Sequence, residues 1–599
     1  MHKKILIGVA WPYVNGDIHV GHLGGYLLPA DIMARFHRLL GYDVLMVSGS
    51  DCYGTPITVE ADKKEKSPQE IVDEYHKKDV ALFKQYNLSY NLYTKTTSET
   101  HKKVVHDVFL KLLKNDYIEK GVMQQYFAID DNVFLPDRYV EGTCPYCNAE
   151  NQRSDQCENC GRWLKDGELI NPVSKLTGSK IELRDTEHYF LNFQKLNPEL
   201  RDYLDSKKDL WKKWVWKEAD GWLREGLHKR AITRDMDWSI ELPIDEIKKL
   251  PEDKQLADFT GKKIYVWFEA VVGYLSAVHE WTETNTETQD IIFNKSQEQG
   301  EDWQDWWKNP DATIYNFMGQ DNLVFHTLMW PAELMGLKDG YSLPEYVVVN
   351  KFLNYESKKF SKSRNWTIDS KKIADKYGVD LIRYYITKTL PENKEGNFTW
   401  EDFVSAVNNE LVANLGNLVN RTLTFITKNF DGKLAIENFE IEPTLQKQIE
   451  KQFEKIGRQL YAEGFSQSHN SEDDGRNGPW IAKALESIME LSRMGNVYFD
   501  EQQVWTVVKT DLEKAQVILL NLVNLIYDLA ILIYPFLPNT SDNIMNMLGK
   551  DAISPEIGNS LWESAASQNK QEISEVHLGE VSLLFQKLEL DKVLAEKED

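Results

Sequence analysis

Residues 4–48 carry the pattern that most limits the possible folds of this 599-residue chain. Lys4 to Ala10 is a β-rich apolar run, and Asp43 to Ser48 is a second one. Between them, apolar residues near helical spacing are Leu27, Ile32, Phe36, Leu39 and Leu40. Gly41 is placed to end that helix. This order predicts a βαβ unit, and therefore a parallel sheet that binds its ligand at the carboxyl ends of the strands.

Three apolar runs further along the chain predict that the sheet resumes after a long interruption. They are Lys263 to Phe268, Thr313 to Met318 and Tyr346 to Val349. The stretch from about 118 to 235 behaves as an insertion between the two halves of the sheet. Beyond about residue 386 the apolar residues take helical spacing, and one face is formed by Leu411, Leu415, Leu418 and Phe425. A helical bundle is therefore predicted there, with a long apolar helix from Ala515 to Tyr534.

Bulk properties indicate a globular chain of several units. Hydrophobic residues make up 42% of the sequence, enough for three or more structural units. No apolar stretch reaches the roughly 18 residues that cross a bilayer, so we expect no membrane partner and a cytoplasmic protein. The net charge of −24 does not exclude a nucleic-acid partner, because phosphate binding depends on a local basic face.

Four of the five cysteines lie between positions 144 and 160. They form two Cys-x2-Cys pairs, Cys144 with Cys147 and Cys157 with Cys160, separated by a polar loop. This is the spacing of a tetrahedral zinc site with four thiolate ligands. No coordination position remains open, so the zinc would be structural. Free thiols or another thiophilic metal are the alternatives, and the clustering suits a reducing compartment.

Two histidines open the first predicted helix, in the segment His19-Val-Gly-His22. Three residues apart at a helix start, both side chains can reach a phosphate held at its positive end. Imidazole donors aimed at an α-phosphate would stabilise the charge that develops as pyrophosphate leaves. Gly21 between them would let a ligand approach the backbone closely. The alternative is a pair of ordinary histidines at a helix N-terminus.

A second basic motif, Lys359-Phe-Ser-Lys-Ser363, lies in a polar loop. Lys359 and Lys362 could close over the β- and γ-phosphates of ATP and neutralise the departing pyrophosphate. The chain contains no Gly-Lys followed by Ser or Thr, so it is not a P-loop ATPase. A solvated basic loop is the alternative.

A third element follows the predicted strand that ends at Met318. Gly319 and Asp321 come directly after it, at the carboxyl edge of the sheet. A carboxylate there can accept hydrogen bonds from ribose hydroxyls, as in dinucleotide sites. These two residues are therefore predicted to bind ATP, together with Gly21 and the two lysines.

The histidine and lysine motifs together resemble the two signature motifs of class I aminoacyl-tRNA synthetases. From Ile5 to about Leu548 the chain resembles the methionyl-tRNA synthetase family in particular. The supporting segments are Ala10 to His22, Gly49 to Pro56, Phe134 to Arg138, Ile264 to Ala270, Lys359 to Ser363 and the cysteine pairs. The resemblance implies an α/β fold: a Rossmann-like parallel-sheet catalytic domain with an inserted zinc-binding domain, followed by a C-terminal α-helical bundle.

The predicted domain boundaries follow this organisation. The catalytic domain takes residues 1–117 and 236–345, on either side of the inserted domain at 118–235. Residues 346–385 hold the lysine-motif loop and a linking segment. The α-helical anticodon-binding domain is 386–550, and 551–599 is a polar loop with a C-terminal docking segment.

The resemblance implies a methionine–tRNA ligase, which makes methionyl-adenylate from methionine and ATP and then charges initiator and elongator tRNA(Met). The implied catalytic residues are His19, His22, Lys359 and Lys362, and magnesium would accompany ATP. The implied methionine site is Tyr13, Asp51, Trp267, Tyr274 and His326, with Asp51 on the α-ammonium group. Trp11, Val271 and Met329 depart from residues common in the family and reshape the pocket wall.

In the helical domain, the residues that match anticodon readers of the family are Asn417, Arg421 and Trp505. An unpaired base would stack on Trp505. We expect a monomer. The alternatives are another class I synthetase, of the branched-chain or cysteine type, and a non-catalytic RNA-binding paralogue. The missing editing insertion argues against the first, and the intact motif residues argue against the second.

Overall fold

A computed structural model describes residues 3–131, 133–135, 139–154, 157, 159, 160, 164, 167–175, 177–283, 302–360, 366–460, 478–567 and 572–595. Lys362 and the rest of the loop from 361 to 365 lie outside these residues, as do positions 136–138.

A parallel sheet begins in the first part of the chain. Its elements there are β1 (Lys4–Val9), α1 (Val20–His22), α2 (Leu28–Leu39), β2 (Asp43–Ser50), α3 (Thr55–Lys64), α4 (Pro68–Gln85), β3 (Leu92–Lys95) and α5 (Glu99–Lys114). A π-helical turn, Leu23–Leu27, joins α1 to α2 in one continuous helix. Every residue of β2 is buried, as expected for a parallel strand covered on both faces. The predicted βαβ unit is confirmed.

An antiparallel insertion follows α5. Its elements are β4 (Ile118–Ala128), β5 (Val133–Phe134), β6 (Val140–Thr143), β7 (Gln152–Arg153), β8 (Ile170–Ser174), β9 (Ile181–Leu191), α6 (Asn197–Ser206), α7 (Lys213–Glu225) and β10 (Arg230–Ala231). Strands β4 and β9 pair along their whole length, with Ile118 opposite Leu191 and Ala128 opposite Ile181. The four clustered cysteines lie between these two strands, at the end of the pair that is farther from α5.

The strand predicted at Lys263 to Phe268 is wrong. The next elements are β11 (Thr233–Asp235), α8 (Ile244–Ile247), β12 (Lys262–Ile264) and α9 (Val266–Glu283). Strand β12 pairs antiparallel with β11, outside the parallel sheet, and the helix α9 begins two residues later. A short apolar run looks the same in a buried strand and in the buried first turn of a helix, so periodicity could not separate them.

The parallel sheet is completed by two strands that were predicted. The elements are α10 (Gln304–Trp307), β13 (Thr313–Gly319), α11 (Trp330–Gly336) and β14 (Tyr346–Asn350). The strand order is β14, β13, β1, β2, β3. The chain therefore adds β2 and β3 on one side of β1, and later adds β13 and β14 on the other side. This reversal between β1 and β13 is a topological switch point, which opens a cleft at the carboxyl ends of the strands.

The C-terminal part is a helical bundle, as predicted. A linking segment precedes it, with β15 (Leu353–Tyr355), β16 (Lys358–Lys359), α12 (Ser370–Tyr377), α13 (Val379–Lys388) and β17 (Gly396–Phe398). The bundle contains α14 (Trp400–Ala406), a π-helical segment (Val407–Gly416), α15 (Asn417–Phe430), β18 (Lys433–Ala435), α16 (Pro443–Gln459), α17 (Ile481–Glu501), α18 (Val504–Val507), α19 (Leu512–Ile533), α20 (Pro538–Met547), α21 (Leu561–Ala566), β19 (Glu575–His577) and α22 (Leu590–Ala595).

The last part of the chain, 551–599, was predicted as a polar loop with a docking segment, and it contains α21, β19 and α22. Strand β19 pairs antiparallel with β18, which fixes this stretch to the bundle. Farther on, the backbone N–H of Leu588 donates to Asn408 Oδ1, and Asn408 Nδ2 donates back to the carbonyl oxygen of Leu588, both at 2.8 Å. The C-terminal segment therefore packs against the start of the bundle.

Helix α19 is long and apolar enough to cross a membrane, judged by length and composition alone. The sequence analysis predicted a long apolar helix here but no stretch that crosses a bilayer; the polar residues within α19 include Asn521, Asn524 and Asp528. However, 83% of its most apolar part is buried in the protein. Asn521 Oδ1 accepts the backbone N–H of Glu442 at 2.8 Å, and Asn524 Oδ1 accepts that of Ile573 at 2.9 Å. These contacts make α19 the central helix of the bundle.

A buried arginine fixes the bundle to the sheet domain. Arg383 on α13 donates from Nη2 to Asp31 Oδ2 of α2 at 2.7 Å and from Nε to the carbonyl oxygen of Phe536 at 2.7 Å. Both side chains of the ion pair are fully buried. Asp31 also pairs with Arg35, through Arg35 Nε and Asp31 Oδ2 at 3.1 Å. Removing Asp31 would therefore take this counter-ion from the buried Arg383, which costs about 3–5 kcal/mol. The helix that begins at the histidine motif is thus attached to the end of α19.

Candidate active site and metal centre

The two predicted histidines lie side by side at the start of α1. His19 Nδ1 accepts the backbone N–H of Gly21 at 3.1 Å, and His22 Nδ1 accepts the backbone N–H of His19 at 3.1 Å. Because each Nδ1 is an acceptor, a neutral ring carries its proton on Nε2. The ring centroids are 3.9 Å apart. Local capping therefore presents two Nε2–H donors together at a helix N-terminus.

The lysine motif reaches the histidines through Phe360. The Phe360 ring stacks on His19 at a centroid distance of 4.8 Å and an interplanar angle of 12°. A Cβ atom on Gly21 would lie 2.8 Å from His19 Cε1 and 3.2 Å from Phe360 Cδ2, so glycine leaves room for both rings. Lys359 directly precedes Phe360, whereas Lys362 lies outside the described residues.

A cavity of about 250 Å³ opens beside His22 at the carboxyl ends of the strands. All the residues predicted to bind methionine line it, namely Tyr13, Asp51, Trp267, Tyr274 and His326. His22 and Asp321 line it as well. Residues from distant parts of the sequence therefore meet around one cavity.

The sequence analysis missed part of the cavity wall. Lining residues without a predicted role are Ala10, Pro12, Asn15, Tyr26, Val266, Ala270, Asn322 and Phe325. Five positions on α9 line the cavity, and they follow helical spacing: 266, 267, 270, 271 and 274. This periodicity would have identified Val266 and Ala270 if the segment had been predicted as a helix.

Trp11 occupies a gap between β2 and α9 that two glycines leave open. A Cβ atom on Gly49 would lie 2.2 Å from Trp11 Cζ3, and one on Gly273 would lie 2.8 Å from Trp11 Cε2. Trp11 and Val271, which depart from the family pattern, line the cavity, whereas Met329 and the further departure at Cys52 and Tyr53 are not among its lining residues.

Tyr274 and His326 form a fixed pair in the cavity wall. His326 Nδ1–H donates to the carbonyl oxygen of Asn322 at 2.8 Å, so its Nε2 accepts the Tyr274 hydroxyl at 2.7 Å. Burial lowers the pKa of His326 to about 4, and the ring is neutral at neutral pH. An uncharged wall with its hydrogen bonds satisfied suits a polarisable thioether.

Gly319 and Asp321 lie where β13 ends, at the edge of the same cleft. Asp321 is in a short 3₁₀ turn, Gln320–Asn322. A Cβ atom on Gly319 would lie 2.9 Å from Asp321 Oδ1, so the carboxylate folds back over the glycine. The contact with ribose stays a prediction.

The cysteines of the insertion form one cluster, in which all four Sγ atoms lie within 4.8 Å of one another. Cys147 Sγ is 3.6 Å from Cys157 Sγ, and Cys144 Sγ is 4.0 Å from Cys160 Sγ. Thiolates about 2.3 Å from a central zinc would be about 3.8 Å apart, so this cluster can hold a tetrahedral metal ion. The Asn159 amide donates to Cys147 Sγ and lowers the pKa of that thiol to about 6, which favours the thiolate.

The residues predicted to read an anticodon share one face of α15, α17 and α18. Asn417 Nδ2 donates to Asn496 Oδ1 at 2.8 Å. The Arg421 guanidinium lies 3.9 Å over the ring of Phe499. Trp505 is 44% exposed and lies nearly parallel to Phe499, at a centroid distance of 6.2 Å. The bundle thus presents an exposed aromatic ring next to an arginine and two amides.

The fold and this site define a class I aminoacyl-tRNA synthetase. Residues 5–423 match the family model described as tRNA synthetases class I (M). Residues 476–594 match the anticodon binding domain of methionyl tRNA ligase. The chain belongs to the methionine–tRNA ligase family.

Curated relatives agree with this assignment. The methionine–tRNA ligase of Roseiflexus castenholzii is 40% identical over 560 residues, 92% of this chain and 87% of the relative. That of Thermococcus onnurineus is 38% identical over 557 residues, 91% of this chain and 71% of the relative. A structure of Mycobacterium tuberculosis methionyl-tRNA synthetase in complex with methionyl-adenylate matches with a TM-score of 0.71 over 97% of this chain and 99% of that one. At 21% identity this likeness concerns the fold, and it confirms the predicted fold class.

Proposed function

We propose that this chain joins methionine to tRNA(Met) by way of methionyl-adenylate. The observation that carries the proposal is one cavity lined by all five residues predicted for the amino acid and by His22 and Asp321, two of those predicted for ATP. Relatives named methionine–tRNA ligase at about 40% identity over 92% of the chain support the choice of amino acid.

In the proposed reaction, Asp51 holds the α-ammonium group, and the thioether lies against Tyr13 and Trp267. A carboxylate oxygen of methionine attacks the α-phosphorus of ATP, which enters as its magnesium complex, and the bond to pyrophosphate breaks. The Nε2–H groups of His19 and His22 stabilise the charge that develops on the α-phosphate.

The other predicted residues bind the rest of the nucleotide. Lys359 and Lys362 neutralise the leaving pyrophosphate. Gly319 and Asp321 hold the ribose, and Gly21 lets the phosphate approach the helix N-terminus. The 3′ end of tRNA(Met) then takes the methionyl group from the adenylate.

Amino-acid-dependent ATP–pyrophosphate exchange tests the proposal. Methionine, leucine, isoleucine, valine and cysteine are compared in parallel with zinc-replete protein. Exchange with methionine alone is expected. Exchange with another amino acid would mean that Trp11 and Val271 redirect the pocket. No exchange at all would favour an RNA-binding paralogue.

Replacing Trp505 with alanine is expected to lower kcat/KM for tRNA charging about 10- to 100-fold, since stacking one base contributes about 1–3 kcal/mol. Pyrophosphate exchange should not change, because Trp505 lies in the bundle and not in the cavity wall. Leu512→Ala, at the exposed start of the next helix, is the matched control. Equal losses in both reactions would count against an anticodon role.

We further propose that the cysteine cluster holds one structural zinc ion. Cys144, Cys147, Cys157 and Cys160 would take all four positions, so the ion would stabilise the insertion without binding substrate. We also propose a monomer in the cytoplasm, where thiolates remain reduced.

A further inference from the structure

A second buried carboxyl group lies behind the amino-acid cavity. Glu269, in the first turn of α9, has no exposed surface, and sequence analysis gave it no role. Its neighbours Trp267, Ala270 and Val271 line the cavity, whereas Glu269 contacts α5 and repels Asp51 at the end of β2. Two acidic side chains are therefore buried beside the cavity, one in its wall and one on the helix that forms part of that wall.

A hydrogen-bonded chain runs from Glu269 into the core. The Ser276 hydroxyl donates to the carbonyl oxygen of Gly273 at 3.1 Å, so its oxygen accepts His101 Nδ1–H at 2.8 Å. His101 Nε2 is then an acceptor, and the Glu269 carboxyl, with Oε2 at 2.8 Å, supplies the proton. Burial lowers the pKa of His101 to about 3 and raises that of Glu269. In this arrangement Glu269 is a neutral carboxylic acid.

In the part of the chain that the structure describes, no lysine or arginine forms an ion pair with either carboxyl group. Among the described residues, Asp51 Oδ1 and Glu269 Oε1 have no hydrogen-bond partner, and the contact of Glu269 Oε2 with His101 is a hydrogen bond between neutral groups. Burial, and then repulsion from Glu269, raise the pKa of Asp51 well above its usual value. A buried acidic pair without a cation retains a proton until a cation arrives.

We propose that the pair Asp51 and Glu269 retains one proton in the empty site, held on Glu269, and that the α-ammonium group of the amino acid displaces this proton to solvent. The pair carries one negative charge before binding, and two negative charges plus the ammonium afterwards. The net buried charge stays at minus one, so binding adds no further uncompensated charge. Glu269 is a positioning residue that acts through Asp51. This inference rests on the proposed function, because it assumes an amino acid bound at Asp51.

The sign of the pH dependence follows from these two states. Burial raises the pKa at which the empty pair loses its last proton. The bound ammonium lowers this pKa, so the pair has one value when empty and a lower one when occupied. Affinity for the amino acid therefore increases as the pH rises between the two values, by up to about tenfold per pH unit, and is lost as the pH falls.

Other titratable groups near the pair do not produce this dependence. Burial is the main cause that raises the pKa values of Cys52, Tyr53 and Tyr274, and it lowers the pKa of His101. None of these four groups changes charge near neutral pH. Glu99 on α5 and Glu280 on α9 add negative charge around Tyr53 and His101.

Calorimetric titration of the full chain with methionine tests the proposal. Titrations between about pH 6 and 8, in buffers with different ionisation enthalpies, give the number of protons released per methionine. The wild-type protein is expected to release up to one. Glu269→Gln, which keeps the shape of the neutral acid but cannot ionise, should bind methionine, release almost none and lose the pH dependence.

Two further variants complete the test, one as a control and one that changes the ionisation of Glu269 without replacing it. Glu280→Gln changes another carboxyl group on α9 and should release protons like the wild type. Ser276→Ala removes the acceptor of His101 Nδ1–H, so the ring proton moves to Nε2 and stabilises ionised Glu269. Proton release at a given pH should then fall, even if Glu269→Gln does not fold.

Equal proton release by wild type and Glu269→Gln would overturn the inference, as would methionine binding to the wild type without release. Failure of the wild type to bind methionine would instead overturn the proposed function.

Discussion

Replacing His22 with alanine is expected to slow methionyl-adenylate formation about 10²- to 10³-fold, the loss that follows removal of one preorganised transition-state donor. His22 presents Nε2–H towards the cavity, because its Nδ1 accepts the backbone N–H of His19. The variant also loses this contact, which orients His19. Single-turnover formation of the adenylate at saturating methionine and ATP measures the effect.

A second variant separates the donor from the shape of the side chain. His22→Gln places an amide N–H close to the position of Nε2, so we expect a smaller loss than with alanine. His106→Ala is the control. His106 lies on α5, is not among the residues that line the cavity, and its Nε2–H donates to the carbonyl oxygen of Glu241. A normal rate for folded His22→Ala would remove this histidine from the mechanism.

Removing the metal, or replacing Cys144 with alanine, is expected to unfold the end of the insertion. The small core there contains two of the cysteines themselves, Cys144 and Cys157, with a few apolar residues. Metal binding contributes roughly 10–16 kcal/mol apparent in small zinc peptides, more than so small a core supplies. Zinc content and limited proteolysis between Ala128 and Ile181 measure the outcome.

The fifth cysteine supplies the control for this experiment. Cys52 is buried at the end of β2, burial raises its pKa to about 12, and it is not part of the cluster. Cys52→Ala should keep one zinc ion per chain, whereas Cys144→Ala should lose it. Full zinc content in Cys144→Ala, or unchanged proteolysis after chelation, would refute a structural metal.

Much of the fold could be predicted because the patterns that indicate its strands and helices lie within short segments of the sequence. The apolar runs of β1, β2, β13 and β14 and the helical spacing of the bundle depend on nearby residues alone. The prediction failed at Lys263 to Phe268, where a buried helix and a buried strand share one pattern. Strand β3 (Leu92–Lys95) was missed, because its second half is Thr94 and Lys95 and the segment forms no apolar run.

The sequence by itself determined the local chemistry. The capping contacts of His19 and His22 span three residues, and the cysteine pairs are set by their spacing. Local hydrogen bonds and periodicity need only consecutive residues, so they are visible without the fold.

Only the tertiary structure decided which of these groups meet. Phe360 stacks on His19, the cavity combines residues from several distant segments, and Glu269 lies buried beside Asp51. Nothing in the spacing of Glu269 distinguishes it from a surface carboxylate. Its burial, and the repulsion that it exerts on Asp51, arise from the packing of α9 against α5 and β2, which no short segment encodes.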